Sequence, residues 1–476
     1  MQIKFDCQRR AILLCLIMLY ALAGIVSQDH FSGLFHNTAS WMGLVYQNMW
    51  ENILKCRLTL DEPFTTGEAI VINGKHYLYY MPFPALIRGI QGIFGLSGSP
   101  LLSQTLGVML FAFSSSAFYL KLLKLLESKI PQSVMLSSIV LLVVCTPALS
   151  MLVHTSYYWE AIIWAGAMLM TACYLSFSLL IRVGILKILI FDLVCGLTLF
   201  TRPPEAFSVA VLFFLTLFVL GVSRRAGRYD AVYLAADNRI KIHLGISVLI
   251  FTVFLALLGG MNYAKWGNPF QFAPMDKNIQ YMDNGGERAA HFLKYGPLRP
   301  DRIPQTVSYY FLPSSDNFQK EPPFIKAGKH NYFNGFTDSF DVYNEQTLPI
   351  PVVFPLIFVM AVFGMFKFVH DSVSRSEKQR IVFLWPSVIA GAVCTLCILM
   401  IITRAIRYRG DILPLISLFY IYGMVGLQSL ICVPKSNSRA GTSARNFPVI
   451  SLMIIFGLIS LYFMVQSIHL ERLVRQ

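Results

Sequence analysis

Apolar residues fill this chain in blocks of helix length, and the polar stretches between the blocks are very unequal. A hydrocarbon layer about 30 Å thick takes roughly 20 apolar residues of helix, because every backbone polar group must be satisfied within the segment. Eleven blocks meet that pattern, near residues 11–27, 101–122, 133–153, 157–181, 185–200, 205–222, 244–262, 350–368, 381–402, 412–432 and 447–467. They predict an all-α polytopic membrane protein of about eleven transmembrane helices. The blocks flanking Thr201-Arg202-Pro203-Pro204 fit either two full helices or one broken hairpin.

Two polar gaps are too long for simple connectors. They divide the chain into a first helix (1–27), a first outer loop (28–100), helices two to seven (101–262), a large outer cap (263–349) and helices eight to eleven (350–476). In the first loop, Trp41, Leu44, Val45, Met49 and Leu54 recur near helical spacing, which predicts an interfacial helix with its apolar side in lipid. Further on, Asn73-Gly74 tolerates the positive φ angles of a tight turn and predicts a hairpin. Tyr77, Tyr79 and Tyr80 then lead into Pro82-Phe83-Pro84 and an amphipathic run ending near Arg88.

Composition agrees: 55% of residues are hydrophobic and 13% charged, with a mean hydropathy of +0.58, which excludes an ordinary soluble fold. The formal net charge of +14 follows from topology. With the N-terminus inside, the inner connections collect the excess of Lys and Arg, while the outer ones are nearly balanced. A nucleic-acid partner is therefore not implied. The first block is read as an uncleaved start-transfer helix. Nine cysteines are present, and only Cys56 falls clearly outside, so no outer disulfide framework is expected. Cys394 and Cys397 form a CxxC in an apolar helix, where packing explains them.

The outer segments carry the candidate chemistry. Asp29 follows the first helix, Asp61, Glu62 and Glu68 lie ahead of the hairpin, and Glu160 opens the fourth block beside Tyr157, Tyr158 and Trp159. Glu160 is a candidate to face the same cavity as the first loop. Asp192 sits inside the fifth block, five residues after Lys187, and a local charge pair is expected for it. Arg404, Arg407 and Arg409 crowd one short outer connection, against the inside bias of basic residues. Arginine matches phosphate oxygens with a planar fork, so a phosphate near the outer headgroups is their natural partner. No Walker A loop, HExxH or GxSxG occurs, and no spacing demands a metal, although outer carboxylates could bind Mg²⁺ or Mn²⁺.

Four stretches resemble the GT-C superfamily of integral membrane glycosyltransferases. Asn73-Gly74-Lys75-His76-Tyr77-Leu78-Tyr79-Tyr80-Met81-Pro82-Phe83-Pro84-Ala85-Leu86 is similar to the NGxxYxYxxPxPALL run of bacterial members. Leu199-Phe200-Thr201-Arg202-Pro203 is similar to their LLTRP, and the stretch from Asn262 to Phe272 to their NYxRFGxPFEF. Arg407-Tyr408 with Asp411 and Pro414 resembles RYxxDxxP. There is one departure: many members place an Asp-Glu pair directly after the first helix, where this chain has Asp29-His30 and carries its Asp-Glu pair later, at Asp61-Glu62.

The resemblance implies transfer of a sugar from a polyprenyl-phosphate donor to a cell-envelope glycan or glycolipid, on the outer (periplasmic) side of a bacterial inner membrane. A carboxylate would act as general base, Asp29 first and Asp61 second, with Glu62 beside it. Arg404, Arg407 and Arg409, joined by Arg202 and Arg88, would bind the donor phosphate. Glu68, Tyr77, Tyr80 and Glu160 would contact acceptor or sugar. Two other functions fit the same pattern: a carrier or flippase for a lipid-linked solute, and a polymerase or ligase that moves a whole lipid-linked oligosaccharide.

Overall fold

The computed structural model describes residues 41–431 except 66, 97, 128–129, 145, 153–155, 227–238, 284–285, 322–323, 329–336, 341–344, 346–347 and 375–380; residues 16, 17, 20, 459, 462, 465 and 466 are described beyond that range. Among the described residues seven helices are long and apolar enough to cross a membrane. In chain order the elements are α1 (Trp41–Leu54), β1 (Ala69–Ile72), β2 (Lys75–Leu78), α2 (Phe83–Ile93), α3 (Pro100–Leu125), α4 (Gln132–Val144), α5 (Tyr157–Ile181), α6 (Ile185–Thr198), α7 (Pro203–Ala226) and α8 (Arg239–Trp266). Then come α9 (Glu287–Tyr295) and α10 (Ile303–Phe311) in the cap, followed by α11 (Pro355–Val373), α12 (Trp385–Met400) and α13 (Arg409–Ile431).

The fold is all-α and polytopic, as expected, but the eleven blocks are not eleven equal spans. Those at 11–27 and 447–467 fall largely outside the described residues. Those at 185–200 and 381–402 form helices of 14 and 16 residues, α6 and α12. At 1.5 Å per residue α6 is about 21 Å long, short of the hydrocarbon thickness. It ends at Thr198, and a turn through Arg202 starts α7, so this region is a hairpin of one short and one long helix. Lys187 donates to the Ser178 and Arg182 carbonyls at the end of α5. The expected pair with Asp192 is not made.

Packing in the bundle centres on α3 with α5, α11 with α13, and α7 with α12. Apolar attraction cannot drive helix association in lipid, so close backbone approach and polar links matter more. Gly364 and Gly423 let α11 and α13 touch: a methyl on Gly364 would meet the Phe419 carbonyl, and one on Gly423 the Met360 carbonyl. In the same pair Asp371 accepts from Lys367 Nζ and Tyr422 Oη, both at 2.7 Å. Tyr119 Oη donates to Gln428 Oε1 at 2.8 Å, tying α3 to α13. By contrast α8 turns Leu249, Val253 and Leu257 outward, as a helix facing lipid does.

The hairpin forms as its turn dipeptide predicts. Asn73 and Gly74 have φ of 51° and 72°, and Ala69, Ile70, Val71 and Ile72 pair antiparallel with Leu78, Tyr77, His76 and Lys75. Helix α1 departs from expectation. Its apolar side is not in lipid, because Val45, Tyr46 and Met49 are buried with Leu60, Leu78, Ala85 and Tyr157. The reason is polar: Asn48 and Asn52 share that side and clamp the following loop. Asn48 Nδ2 donates to Asp61 Oδ2 at 2.7 Å, and Asn52 Nδ2 to the Thr59 carbonyl at 3.1 Å.

The cap is fastened over the bundle by backbone acceptors. Buried Arg302 donates to the carbonyls of Gly296, Pro297, Ser339 and Met400. Tyr310 Oη reaches the Ala405 carbonyl at 2.8 Å, and Asn278 Nδ2 the Glu68 carbonyl at 2.9 Å. One rim of the bundle therefore gathers the hairpin, the turn before α7, the cap and the turn before α13.

Candidate functional site

A cavity of about 550 Å³ opens at that rim. Its polar end is formed by Glu68, Tyr79 and Tyr80 flanking the hairpin, Arg202 before α7, Arg288 of α9, and Arg407 and Tyr408 before α13. Phe207, Phe272, Met275, Phe292, Leu298 and Ile401 make an apolar wall. Phe207 is 61% and Leu298 47% exposed, so this wall continues onto the outside of the helices.

Arg202 owes its place to the break between α6 and α7. Thr201 Oγ1 turns back onto the Thr198 carbonyl at 2.7 Å, and the prolines that follow begin α7 where their missing N–H groups cost nothing. The guanidinium is buried. Its Nη1 makes an ion pair with Asp411 Oδ1 in the first turn of α13, and the plane lies 5.3 Å from the centre of the Tyr408 ring.

Arg407 sits in the 3₁₀ turn Ile406–Tyr408 ahead of α13. Its Nη1 is 3.3 Å from Glu345 Oε1 and its Nη2 3.9 Å from Glu68 Oε1, and it lies 4.7 Å over Tyr158. Glu345 also accepts from the Ile406 amide at 2.7 Å, which fixes the turn to the cap. Tyr79 and Tyr80 stack at 4.2 Å below it. Burial, and then the Glu68 carboxylate, raise both phenols well above their ordinary range. Both stay neutral and keep their O–H donors.

The arginine trio is split. Arg407 lines the cavity; Arg409 donates to the Ile406 and Leu348 carbonyls at 3.2 and 3.0 Å, and Arg404 lies 4.4 Å from the Phe340 ring. Neither of these two is among the lining residues. Arg88 and Glu160 pair with one another at 2.8 Å, fully buried, with Ser103 Oγ and the Gly43 carbonyl completing the cluster, also away from the cavity. Tyr77 packs edge-on against Trp266 at 5.7 Å, and Lys265 Nζ holds the Leu78 carbonyl at 3.1 Å, so the 262–272 motif braces the hairpin.

Among the carboxylates, Glu68 is buried and lines the cavity. Asp61 and Glu62 are exposed and do not line it. A hydrogen bond from the Asn48 side chain holds the Asp61 carboxyl below the usual range. Asp29 lies outside the described residues. Among the described residues no three His, Cys, Asp or Glu side chains gather to hold a metal ion.

Arg288, Glu345, Tyr158 and Tyr408 join the site, although none was a candidate site residue by sequence. Tyr408 had a signal in its place beside Arg407, and Tyr158 in its place among the aromatics ahead of Glu160. Arg288, stacked 4.3 Å over Tyr281, arrives through the packing of α9, which no local spacing announces.

In shape the chain is similar to the apo crystal structure of the Archaeoglobus fulgidus oligosaccharyltransferase, with a TM-score of 0.51 and 13% identity over 96% of this chain and 56% of that one. Archaeal oligosaccharyltransferase AglB from Archaeoglobus fulgidus, in complex with an inhibitory peptide and a dolichol-phosphate, gives 0.50 at 13% identity over the same shares. The enzyme tethered to an acceptor peptide containing the NVT sequon gives 0.50 at 12%, covering 96% and 55%. The chain thus spans little more than half the length of these proteins. The likeness is one of fold. No family model and no curated protein matches the sequence.

Proposed function

We propose that this chain is an integral membrane glycosyltransferase that moves a sugar from a polyprenyl-phosphate donor to an envelope glycan or glycolipid at the outer face of a bacterial inner membrane. The observation that carries this reading is the make-up of one cavity: Arg202, Arg288 and Arg407 at its polar end and an apolar wall leading to the lipid-facing side of α7. A ligand suited to both ends is an anionic head on an isoprenoid tail.

In the transfer, a carboxylate takes the proton of an acceptor hydroxyl, the oxygen attacks the anomeric carbon, and the bond from that carbon to the phosphate oxygen breaks. The phosphate leaves with the electron pair. Fixed guanidiniums then meet charge that grows in the transition state, where such groups are worth most. Arg202 and Arg407 fill that role. Neutral Tyr80 and Tyr408 donate hydrogen bonds to sugar or phosphate. Glu68 is the acid that the cavity offers as base, and Asp29 is the alternative after the first helix.

The fold likeness also favours a second reading, transfer of a whole lipid-linked oligosaccharide. Mass spectrometry of envelope glycans, with and without the chain, separates the two. A difference of one sugar supports the proposal, and a difference of an oligosaccharide repeat supports the second reading. No change in glycan mass, accompanied by altered solute uptake, overturns both in favour of a carrier.

A further inference from the structure

Helix α7 leads away from the cavity with a column of apolar side chains. Phe207, Val211, Phe214, Phe218 and Val222 recur at helical spacing, so they stand in one line along the helix. Phe207 lines the cavity, whereas Phe214 and Phe218 lie beyond it and are 54% and 65% exposed. From Phe207 to Val222 the column runs about 22 Å at 1.5 Å per residue, most of the depth of a hydrocarbon layer. Phenyl rings are not the general rule for an outward face of this bundle. On α6, and on α8 from Ile242 to Leu257, the large apolar side chains that face outward are all aliphatic, Leu189 and Leu249 among them. Part of the column is also braced: Phe214 meets Phe213 and Phe251 edge-on at 5.5 and 5.9 Å, and Phe213 stacks on Phe251 at 4.1 Å.

We propose that this column is a subsite for the tail of the lipid phosphate and selects long isoprenoid chains over short ones. The proposal rests on the polyprenyl-phosphate reading above. Phe207 belongs both to the cavity and to the column, so a phosphate held at Arg202 and Arg407 leaves its tail at the head of the line of rings. Within hydrocarbon, apolar burial gains little, because lipid chains are as apolar as the protein. Close packing is what separates one apolar chain from another there, and a fixed phenyl face offers it at low cost in side-chain freedom. Phospholipid acyl chains meet the same rings, but none has a head anchored in the cavity to keep it in place. The column touches no reacting atom, so its effect falls on binding.

Equilibrium binding of a long-chain polyprenyl phosphate and of neryl phosphate to the purified full chain in nanodiscs tests this. The two probes share the phosphate, differ in the length of the tail and carry no sugar. Phe214→Leu and Phe218→Leu keep the side chains apolar and remove the rings. Each is expected to weaken binding of the long-chain phosphate roughly 2- to 10-fold, the size of one aromatic contact. Neryl phosphate, whose tail ends short of Phe214, is expected to bind these variants as it binds the wild type. Leu249→Ala on α8 is the control and leaves both affinities alone.

Unchanged long-chain affinity in both Phe variants overturns the proposal, as does an equal loss in Leu249→Ala or an absence of saturable binding of the long-chain phosphate. Should Phe214→Leu lower the melting temperature, Phe218→Leu carries the test alone. If the affinities behave as expected but envelope glycans are the same with and without the chain, the tail subsite stands and the glycosyltransferase reading falls. If the glycans differ and the Phe variants bind like the wild type, the reading stands and the subsite falls.

Discussion

Arg88 and Glu160, 72 residues apart on α2 and α5, form an ion pair at 2.8 Å in which neither side chain has exposed surface. Two charges taken out of water must satisfy one another, and removing one leaves the other stranded at a cost of about 3–5 kcal/mol. Arg88→Met and Glu160→Leu should each lower the melting temperature sharply in detergent, while the double variant recovers most of the loss. A double variant as unstable as the sum of the singles would show that the pair does not carry the junction of α2 with α5.

How far the sequence foretold this arrangement differs by level. The all-α polytopic character and the Asn73-Gly74 turn follow from hydrophobic blocks and turn chemistry, which are local properties, whereas the four stretches that meet at one rim were picked out by resemblance. Which arginine of Arg404, Arg407 and Arg409 enters the cavity was not legible, because a 3₁₀ turn sends neighbouring side chains in different directions. Glu160 read as a site acid because nothing local reveals that Arg88 closes on it. The inward burial of α1 depended on Asn48 and Asn52 finding partners in a loop whose path the helix itself does not dictate.

Arg407 is held by Glu345 and faces Glu68, so its guanidinium is already oriented before any phosphate arrives. A charge-assisted hydrogen bond contributes about 1.5–3 kcal/mol. Arg407→Ala should therefore raise the donor KM by roughly 10- to 100-fold. Arg407→Lys keeps the charge but loses the fork and should fall between. Steady-state transfer at varied donor and fixed acceptor checks this, and an unchanged donor KM would remove the phosphate role.

Gly364 and Gly423 set the distance between α11 and α13. Gly364→Val would push its side chain into the Phe419 carbonyl, and overpacking of this kind costs about 1–3 kcal/mol. The expected outcome is a lower melting temperature, with a smaller loss for Gly364→Ala than for Gly364→Val. Equal stability of all three proteins would mean that the helices can separate freely.

The Asn48 hydrogen bond lowers the Asp61 pKa in the folded state, so it stabilises the ionised form. Its contribution is fully present above the unfolded value of about 3.9 and is lost as pH falls through the lower folded value. The gap in melting temperature between wild type and Asn48→Ala should be constant near neutrality and close in acid. A gap independent of pH would assign Asn48 to packing alone.

The identity of the base separates the acids by position. Glu68 is buried in the cavity wall beside Arg407, whereas Asp61 and Glu62 are exposed outside it. A general base must lie within about 2.6–3.2 Å of the proton it removes, and its loss costs about 10²- to 10⁴-fold in rate. If Glu68 serves, Glu68→Gln lowers kcat by that order with donor KM little changed, and Asp61→Asn and Glu62→Gln remain near the wild-type rate. If Asp29→Asn abolishes transfer while Glu68→Gln mainly alters donor KM, the base follows the first helix. Glu68 then serves instead as the counter-charge that Arg407 leaves when the donor phosphate binds.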